Sequence, residues 1–328
     1  MDARLSWSRE HCGTSADAAG DQHGKCRQAW LLGQPPLEDY LELAEELADG
    51  DAPGPRSQLV DEWRRANDYY GHLERIEAGM ADAVDVRDLD PVMGALAREV
   101  AADGRFLRAC DTLPTRFASV ELARLVVGQS HVTLDHTDRL ATTLQDVTSP
   151  EALFRFCLPL DRAEAPVQMR KMGDSKFILW SASSDFRFQE AVLLHPDQIN
   201  RVEPYGPIGG VLALMAGYGS NFLSVIESDG RLILHNGHHR AYALLEAGFT
   251  HAPAVIQTVT RMDELKVAAG RRVLADPAFY LKAARPPLLK DFFDPNIRKV
   301  LSVPRSMTVV ELAFEVNEYR VKDFVCGG

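Results

Sequence analysis

The sequence has few cysteines and no long apolar run. Its cysteines are scattered, and none stands in Cys-x-x-Cys spacing: Cys12, Cys26, Cys110, Cys157 and Cys326. This pattern argues against both a disulfide framework and a zinc site, and it favours a reducing, cytoplasmic location. No apolar stretch approaches the ~20 residues that are needed to cross a bilayer, so we expect no membrane-spanning helix.

Basic residues are also in short supply. The chain of 328 residues has 36 Lys and Arg against 47 Asp and Glu, which gives a net charge of -11. The longest basic clusters, Arg64–Arg65 and Arg271–Arg272, are isolated pairs, a pattern that is typical of solvated helix faces. Non-specific binding to a nucleic-acid backbone requires a basic patch, so the acidic net charge disfavours a nucleic-acid partner.

Periodicity predicts mainly helix in the first half of the chain. Residues 1–30 mix charged, small and polar side chains without an apolar h-region, and we interpret them as a disordered tail rather than a secretory signal. Between residues 31 and 150, apolar side chains recur at helical spacing, as in Leu37–Leu47 and Asp90–Cys110. We therefore group residues 31–150 as a mainly helical region whose tryptophan and tyrosine side chains serve the core or a protein partner.

The pattern changes after residue 150 to short apolar runs bounded by turn residues, which is typical of strands. Asp229 and Gly230 predict a hairpin turn because both residue types tolerate positive φ. The segment Gly206–Gly217 is predicted as a helix. The predicted strands are Phe177–Trp180, Glu190–Leu194, Asn221–Ile226, Arg231–His235 and Ala254–Val259.

These elements define the predicted domains. Residues 151–260 form a small mixed-sheet domain. Residues 261–328 form a helical C-terminal extension, because Met262–Leu274 and Thr308–Tyr319 have helical patterns. The predicted fold class is α+β, with a helical N-terminal region followed by the small mixed-sheet domain.

The segment from Asn236 to Arg240 is the strongest candidate for chemistry. It forms a strand-to-helix turn, and the first N–H groups of the new helix lack intrahelical partners while the helix dipole adds partial positive charge. Gly237 lets the backbone approach a ligand, and Arg240 presents a planar fork to phosphate oxygens. His238 or His239 can donate or exchange a proton near neutral pH. The turn therefore predicts an anion-binding site.

Two structural alternatives stay open for this turn. In the first, the histidines cap the helix, Arg240 pairs with a carboxylate and Gly237 is only a turn residue. In the second, His235, His238 and His239 bind zinc, although no cysteine or carboxylate is close in sequence and adjacent histidines on a helix point in different directions.

Residues 188–260 resemble the ParB/sulfiredoxin-like superfamily. The match rests on an apolar strand, the Gly-His-His-Arg turn, a helix of the form Ala-x-Ala-Leu-x-x-x-Gly, and a further strand after Ala-Pro. Upstream, Glu190–Ile199 is similar to the family's first strand, Pro207–Gly217 to its helix and Asn221–Ile226 to its next strand. The resemblance implies a ParB/sulfiredoxin-like domain that binds a nucleotide through this turn and helix.

The branches of this superfamily differ at the turn. Sulfiredoxins need a cysteine where this chain has His238, and partition proteins carry Gly-Glu-Arg-Arg. The branch that includes free-serine kinases reads Asp-Gly-His-x-Arg, which this chain matches except that Asn236 replaces the aspartate. Asparagine cannot act as a base or as a firm magnesium ligand, so the resemblance supports nucleotide binding more strongly than a particular reaction.

The leading hypothesis is a nucleotide-binding enzyme, a kinase or NTPase, that uses ATP or another NTP with Mg²⁺ and transfers phosphate to a small hydroxyl-bearing molecule or to water. The resemblance implies Asn236, Gly237, His238, His239 and Arg240 as nucleotide-binding residues. Because an imidazole can exchange a proton near neutral pH, His238 and His239 are also catalytic candidates.

The resemblance also places a functional glutamate after the first strand, which makes Glu203 the candidate base. Asp197 and Glu227 are the fallbacks, and Ser220 and Asn221 are expected to line the same pocket. The alternatives are a non-catalytic nucleotide- or ligand-sensing interaction module and a nucleic-acid-associated ParB-like protein.

Overall fold

The computed structural model describes residues 24–34, 36–46, 54–161, 164–199 and 205–320. Helices and mixed sheets both contribute, so the predicted α+β class is confirmed. Within these ranges no helix is both long enough and apolar enough to cross a membrane. The strands are Lys25–Leu31 (β1), Val86–Arg87 (β2), Thr115–Glu121 (β3), Val126–Val127 (β4), His131–Thr133 (β5), Gln168–Lys171 (β6), Lys176–Ser181 (β7), Phe186–Leu194 (β8), Val211–Tyr218 (β9), Ser224–Ser228 (β10), Arg231–Asn236 (β11), His251–Thr258 (β12), Arg298–Pro304 (β13) and Thr308–Ala313 (β14).

The helices surround a central sheet. They are Leu37–Glu46 (α1), Arg56–Ile76 (α2), Pro91–Ala102 (α3), Gly104–Cys110 (α4), Leu134–Leu144 (α5), Pro150–Cys157 (α6), His238–Glu246 (α7), Met262–Ala268 (α8), Arg271–Ala275 (α9) and Pro277–Lys282 (α10). Helix α7 packs against α5, and its apolar face, Ala241–Leu244, is buried in the main core.

The central sheet has six strands in the order β2-β3-β12-β10-β11-β4. The pairs β3–β12 and β10–β11 are antiparallel, whereas β10–β12 and β11–β4 are parallel. The inner strands read as near-continuous apolar runs because helices cover both of their faces. The predicted hairpin turn between β10 and β11 is confirmed, with φ values of 51° at Asp229 and 82° at Gly230.

Residues 31–150 contain more helix than strand, but they do not form a sheet of their own. Strands β2, β3 and β4 lie in this range, and they pair in one sheet with strands from residues 224–258. Val120 and Val127 share a core cluster with Leu232 and Val255. Local periodicity missed this arrangement, because β3 finds its partner β12 more than a hundred residues further along the chain.

Three further expectations are wrong. Gly206–Gly217 contains good helix formers, yet β9 occupies much of it because pairing with β8 outweighs the local propensity. The predicted last helix, Thr308–Tyr319, begins with β14, which pairs with β7. The predicted disordered tail ends in β1, which lies between β13 and β5, while residues 1–23 lie outside the described residues.

Two predicted strands exist but lie away from the central sheet. Phe177–Trp180 falls in β7, the middle strand of the sheet β14-β7-β6, and Glu190–Leu194 falls in β8, which pairs with β9 as a two-stranded ribbon. The upstream half of the family-like segment is therefore not continuous with the sheet that carries the turn. The predicted helix Met262–Leu274 is split into α8 and α9 at Gly270.

Candidate functional site

The turn between β11 and α7 has the predicted strand–glycine–helix form. Gly237 has a φ of 86°, and an added Cβ would lie 3.1 Å from the Cα of Leu223. The Asn236 side chain braces the turn, since its Nδ2 donates to the Ser220 carbonyl at 2.6 Å and its Oδ1 accepts from the Gly237 N–H at 2.7 Å. Asn236 therefore has a structural role in this turn.

Gly237→Ala is expected to lower the free energy of unfolding by about 2–3 kcal/mol. Left-handed backbone costs an L-residue about 1–2 kcal/mol, and the close approach to Leu223 adds to this cost. Gly248→Ala is the matched control, because Gly248 has a φ of 88° but no atom within 4 Å of an added Cβ. Urea unfolding measures both variants, and equal losses would show that the contact with Leu223 is unimportant.

Arg240 is buried and contacts protein oxygens. Its Nη1 donates to the Cys157 carbonyl at 2.7 Å, and its Nη2 donates to the Asn221 side-chain oxygen. The residue is 6% exposed. Because carbonyls at a helix C-terminus carry partial negative charge, the guanidinium fastens α7 to the end of α6. These contacts agree in part with the alternative in which Arg240 has a structural role. The partners are a backbone carbonyl and the Asn221 side chain, whereas that alternative expected a carboxylate.

His239 is also engaged by the protein. Its Nε2 accepts from the Thr133 N–H at 3.0 Å, which ties α7 to the start of α5. The His136 ring lies edge-on at a centroid distance of 5.0 Å. Burial, with smaller contributions from His136 and His238, lowers the pKa of His239 to about 3. The ring is neutral at pH 7, and its lone pair is occupied.

His238 has an unused acceptor. Its Nε2 has no exposed surface and no hydrogen-bond partner among the described residues. Burial lowers its pKa to about 3, His235 and His131 add to the shift, and a hydrogen bond to the Leu234 carbonyl opposes it. A carbonyl can only accept, so Nδ1 carries the proton and Nε2 remains a lone-pair acceptor.

Two adjoining cavities open beside this histidine. The first, of about 350 Å³, is lined by His238, His131 and Arg271, and the second, of about 390 Å³, is lined by Gln34 and Asp39. The loop Gly128–Ser130, which links β4 to β5, borders both cavities, as does Arg272. We call the two cavities together the cleft. Each has the size of a small-molecule site, ~300–1,000 Å³.

The cleft collects buried polar atoms that have no partner. In the described part of the chain these are Gln34 Oε1, His131 Nδ1 and His238 Nε2, and all three residues line the cleft. The Gln34 Nε2 donates to the Arg285 carbonyl at 3.1 Å, which fixes the amide orientation. His131 stacks on Trp30 with ring centroids 4.3 Å apart. Buried polar groups are nearly always hydrogen-bonded, so this cluster indicates a ligand site.

The cleft is bordered by two cations. Arg272 pairs with Asp39 at 3.2 Å, and the two side chains are 41% and 45% exposed. Arg271 is exposed at the start of α9 and makes no ion pair with any residue that the structure describes. The cleft therefore offers one available guanidinium and one that already neutralises a carboxylate.

The structure separates the other predicted site residues from the cleft. Glu203, the candidate base, lies outside the described residues. Asp197 is exposed and contacts His195 at 2.6 Å. Glu227 accepts from Thr258 Oγ1 at 3.0 Å on the central sheet. Neither carboxylate lines the cleft.

The zinc alternative has no geometric support. Over the described ranges, no three or more His, Cys, Asp or Glu side chains are grouped so that they could hold a metal ion. His235, His238 and His239 therefore do not converge. Carboxylates border the cleft at Asp39 and Asp276, but Asp39 pairs with Arg272 and Asp276 caps α10 through the Phe279 N–H.

Sequence reasoning missed most of the cleft. Gln34 and Gly128–His131 both stand in the region that was predicted as mainly helical. The available signals were the Gly-Gln-Ser-His run between two strands and the Arg pair after Gly270. A scan against protein-family models and searches of curated proteins and of solved structures found no match.

Proposed function

We propose that the cleft binds a small phosphorylated molecule that also carries hydroxyl or amino groups, with ATP or another nucleotide as the leading candidate. The observation that carries this proposal is that three residues of the cleft walls, Gln34, His131 and His238, each carry a buried polar atom without a partner. The resemblance of the adjoining strand–turn–helix to the ParB/sulfiredoxin-like superfamily supports a nucleotide as the phosphorylated molecule.

The chemistry of these atoms defines the ligand. Gln34 Oε1 and His238 Nε2 are acceptors, so a ligand group that takes either atom as its partner is an O–H or N–H donor, as in a ribose or an amino-substituted base. Arg271 supplies a planar fork for phosphate oxygens. The stacked pair Trp30–His131 offers an aromatic edge beside the same cavity.

Binding is better supported than phosphoryl transfer. A general base works best when its pKa is near the operating pH, whereas the pKa of His238 and that of His239 are about 3. In the described part of the chain, no three or more His, Cys, Asp or Glu side chains are grouped to hold a metal ion, so we expect Mg²⁺ to arrive with the nucleotide phosphates. Transfer to a hydroxyl-bearing acceptor, or hydrolysis, would need Glu203 as the base. A non-catalytic sensing module is the rival function.

Arg271→Ala is expected to weaken nucleotide binding at least about tenfold, because one charge-assisted contact to phosphate contributes about 1.4 kcal/mol or more. Isothermal titration of ATP, ADP, CTP and inorganic phosphate, with and without Mg²⁺, is the measurement. Arg98→Ala is the matched control, since Arg98 is exposed on α3 and does not border the cleft. Its affinity should equal that of the wild type.

A second variant tests the observation that carries the proposal. His238→Phe keeps the ring but removes the partnerless Nε2 acceptor, so affinity should fall while inorganic phosphate binding is spared. Absence of nucleotide binding by the wild type in every condition would exclude the proposal. Nucleotide consumption at high protein concentration then separates an enzyme from a sensing module.

A further inference from the structure

The loop between β4 and β5 forms part of the wall of both cavities of the cleft. Gly128, Gln129 and Ser130 line both of them. An added Cβ at Gly128 would lie 2.7 Å from Val273 Cγ2, so the loop packs directly against α9. The Leu31 N–H donates to the Ser130 carbonyl at 2.8 Å, which fixes the end of the loop to β1. The loop therefore has a defined position beside α9.

This loop has hydrogen-bond donors that the protein does not use. Ser130 is 7% exposed, and its hydroxyl has no hydrogen-bond partner among the described residues. The N–H groups of Gln129 and Ser130 likewise donate to no acceptor within the described ranges. Because buried polar groups are nearly always hydrogen-bonded, these donors indicate a ligand that supplies acceptor oxygens.

Arg272 brings a guanidinium to the same wall. It lines both cavities, and it precedes Val273, the residue of α9 that packs against the loop. Its Nη2 lies 3.2 Å from Asp39 Oδ2, and in the part of the chain that the structure describes its Nε and Nη1 have no partner. Exposed pairs of this kind contribute at most about 1 kcal/mol, so a phosphate can replace Asp39 as the partner of Arg272.

Arg271 reaches a different point of the cleft. It lines the cavity of about 350 Å³ and not the cavity of about 390 Å³. Adjacent residues on a helix point in different directions, so Arg271 and Arg272 do not bind the same group. The cleft therefore has two separate cationic points, and the unused donors of the loop lie on the wall that carries Arg272.

We propose that Gln129, Ser130 and Arg272 form a second phosphate subsite beside Arg271, so that the cleft selects a nucleoside di- or triphosphate over a monophosphate. This inference rests on the proposed function, in which Arg271 binds the first phosphate. The subsite presents two N–H groups, one hydroxyl and one guanidinium. All of these can donate, and a phosphate oxygen only accepts.

Isothermal titration of AMP, ADP and ATP at constant Mg²⁺ tests the subsite. The wild type should bind ADP at least about tenfold more tightly than AMP, because the additional phosphate gains charge-assisted hydrogen bonds. Ser130→Ala should lower the affinity for ADP about tenfold and leave that for AMP unchanged. Ser228→Ala is the matched control, since Ser228 is 8% exposed on β10 and does not line the cleft.

A second variant changes the affinity in the opposite direction. Asp39→Asn should raise the affinity for ADP about two- to fivefold, because the phosphate then no longer competes with a carboxylate for Arg272. Glu38→Gln is the matched control, since it removes one negative charge from the neighbouring position of α1 without bordering the cleft. Its affinity for ADP should equal that of the wild type.

The outcomes separate the subsite from the proposed function. Equal affinities of the wild type for AMP and ADP, or an unchanged ratio in Ser130→Ala, would overturn the second subsite. If Arg271→Ala still weakens the binding of both nucleotides in that case, the proposed function stands. A wild type that binds none of the three nucleotides excludes both proposals. Circular dichroism and thermal unfolding check that each variant is folded.

Discussion

Arg285→Met is expected to lower the free energy of unfolding by about 3–5 kcal/mol, because removing one partner of a buried ion pair leaves an uncompensated charge. Arg285 is 1% exposed. Its Nη2 donates to Asp291 Oδ1 at 2.6 Å and to Glu77 Oε2 at 2.8 Å, and its guanidinium carbon lies 5.7 Å from the centre of the Tyr70 ring. The network joins the end of α2 to the segment that follows α10.

The loss of stability in Arg285→Met comes mainly from the Asp291 carboxylate, which is left without its cationic partner. Burial raises the pKa of Asp291, and Arg285 opposes that shift. The double variant Arg285→Met with Asp291→Asn should recover part of the loss, because an amide oxygen still accepts from the Leu288 N–H, which lies 2.8 Å from Asp291 Oδ2. In this double variant the Asp291 charge is removed together with that of Arg285, and Glu77 still pairs with Lys290.

Urea unfolding measures these variants, with Arg155→Met as the control. Arg155 pairs with Glu151 at 3.1 Å on the surface of α6, where the two side chains are 60% and 54% exposed. A solvent-exposed pair of this kind contributes about 0.5 kcal/mol. Similar losses for Arg285→Met and Arg155→Met would contradict a dominant role of the buried network.

The second large effect is a loss of stability in mild acid. Burial lowers the pKa of His131 to about 4 and those of His238 and His239 to about 3. An unfolded histidine titrates at ~6.5, so below this pH the unfolded chain binds protons that the folded chain does not. The stabilising contribution is complete above pH ~6.5 and is lost as the pH falls from there towards the folded values.

These three rings set the main part of this loss, and His235, whose pKa is also lowered by burial, adds to it. Each contributes at most about 1.4 kcal/mol per pH unit, so the free energy of unfolding should fall by up to about 4 kcal/mol between pH 7 and 5.5. All three residues are half-buried, and solvent screening will make the measured loss smaller. Urea unfolding at a series of pH values measures the slope.

Substitution assigns the slope to particular rings. His238→Asn and His239→Gln should each reduce the slope of the unfolding free energy against pH by about one third, because neither replacement titrates. His72→Gln is the control, since His72 is exposed on α2. An unchanged slope in both cleft-side variants would show that other groups cause the acid sensitivity.

Much of the turn could be predicted from the sequence. Positive φ at Gly230 and Gly237 follows from residue type, and the apolar runs of β11 and β12 are local signals. The strand-to-helix change at Gly237 was therefore predicted correctly. The roles of the side chains were not, because Arg240 contacts carbonyls at the end of α6, 83 residues away in sequence.

The cleft could not be predicted from local sequence patterns either, because it also depends on contacts between distant segments. It combines Gln34, Gly128–Ser130, His238 and Arg271, which come from four distant parts of the chain. A partnerless atom such as His238 Nε2 is a property of packing, because only the surrounding structure determines which donors can reach it.

By itself, the sequence determined the α+β class, the helices α1 and α3, the hairpin at Asp229–Gly230 and the turn at Gly237, because short-range sterics and periodicity specify them. Tertiary structure alone decided that β3 joins β12, that Val211–Tyr218 is a strand and that Gln34, His131 and His238 line one cleft. Contacts between distant segments decide these features, and such contacts outweigh the preferences of any single segment.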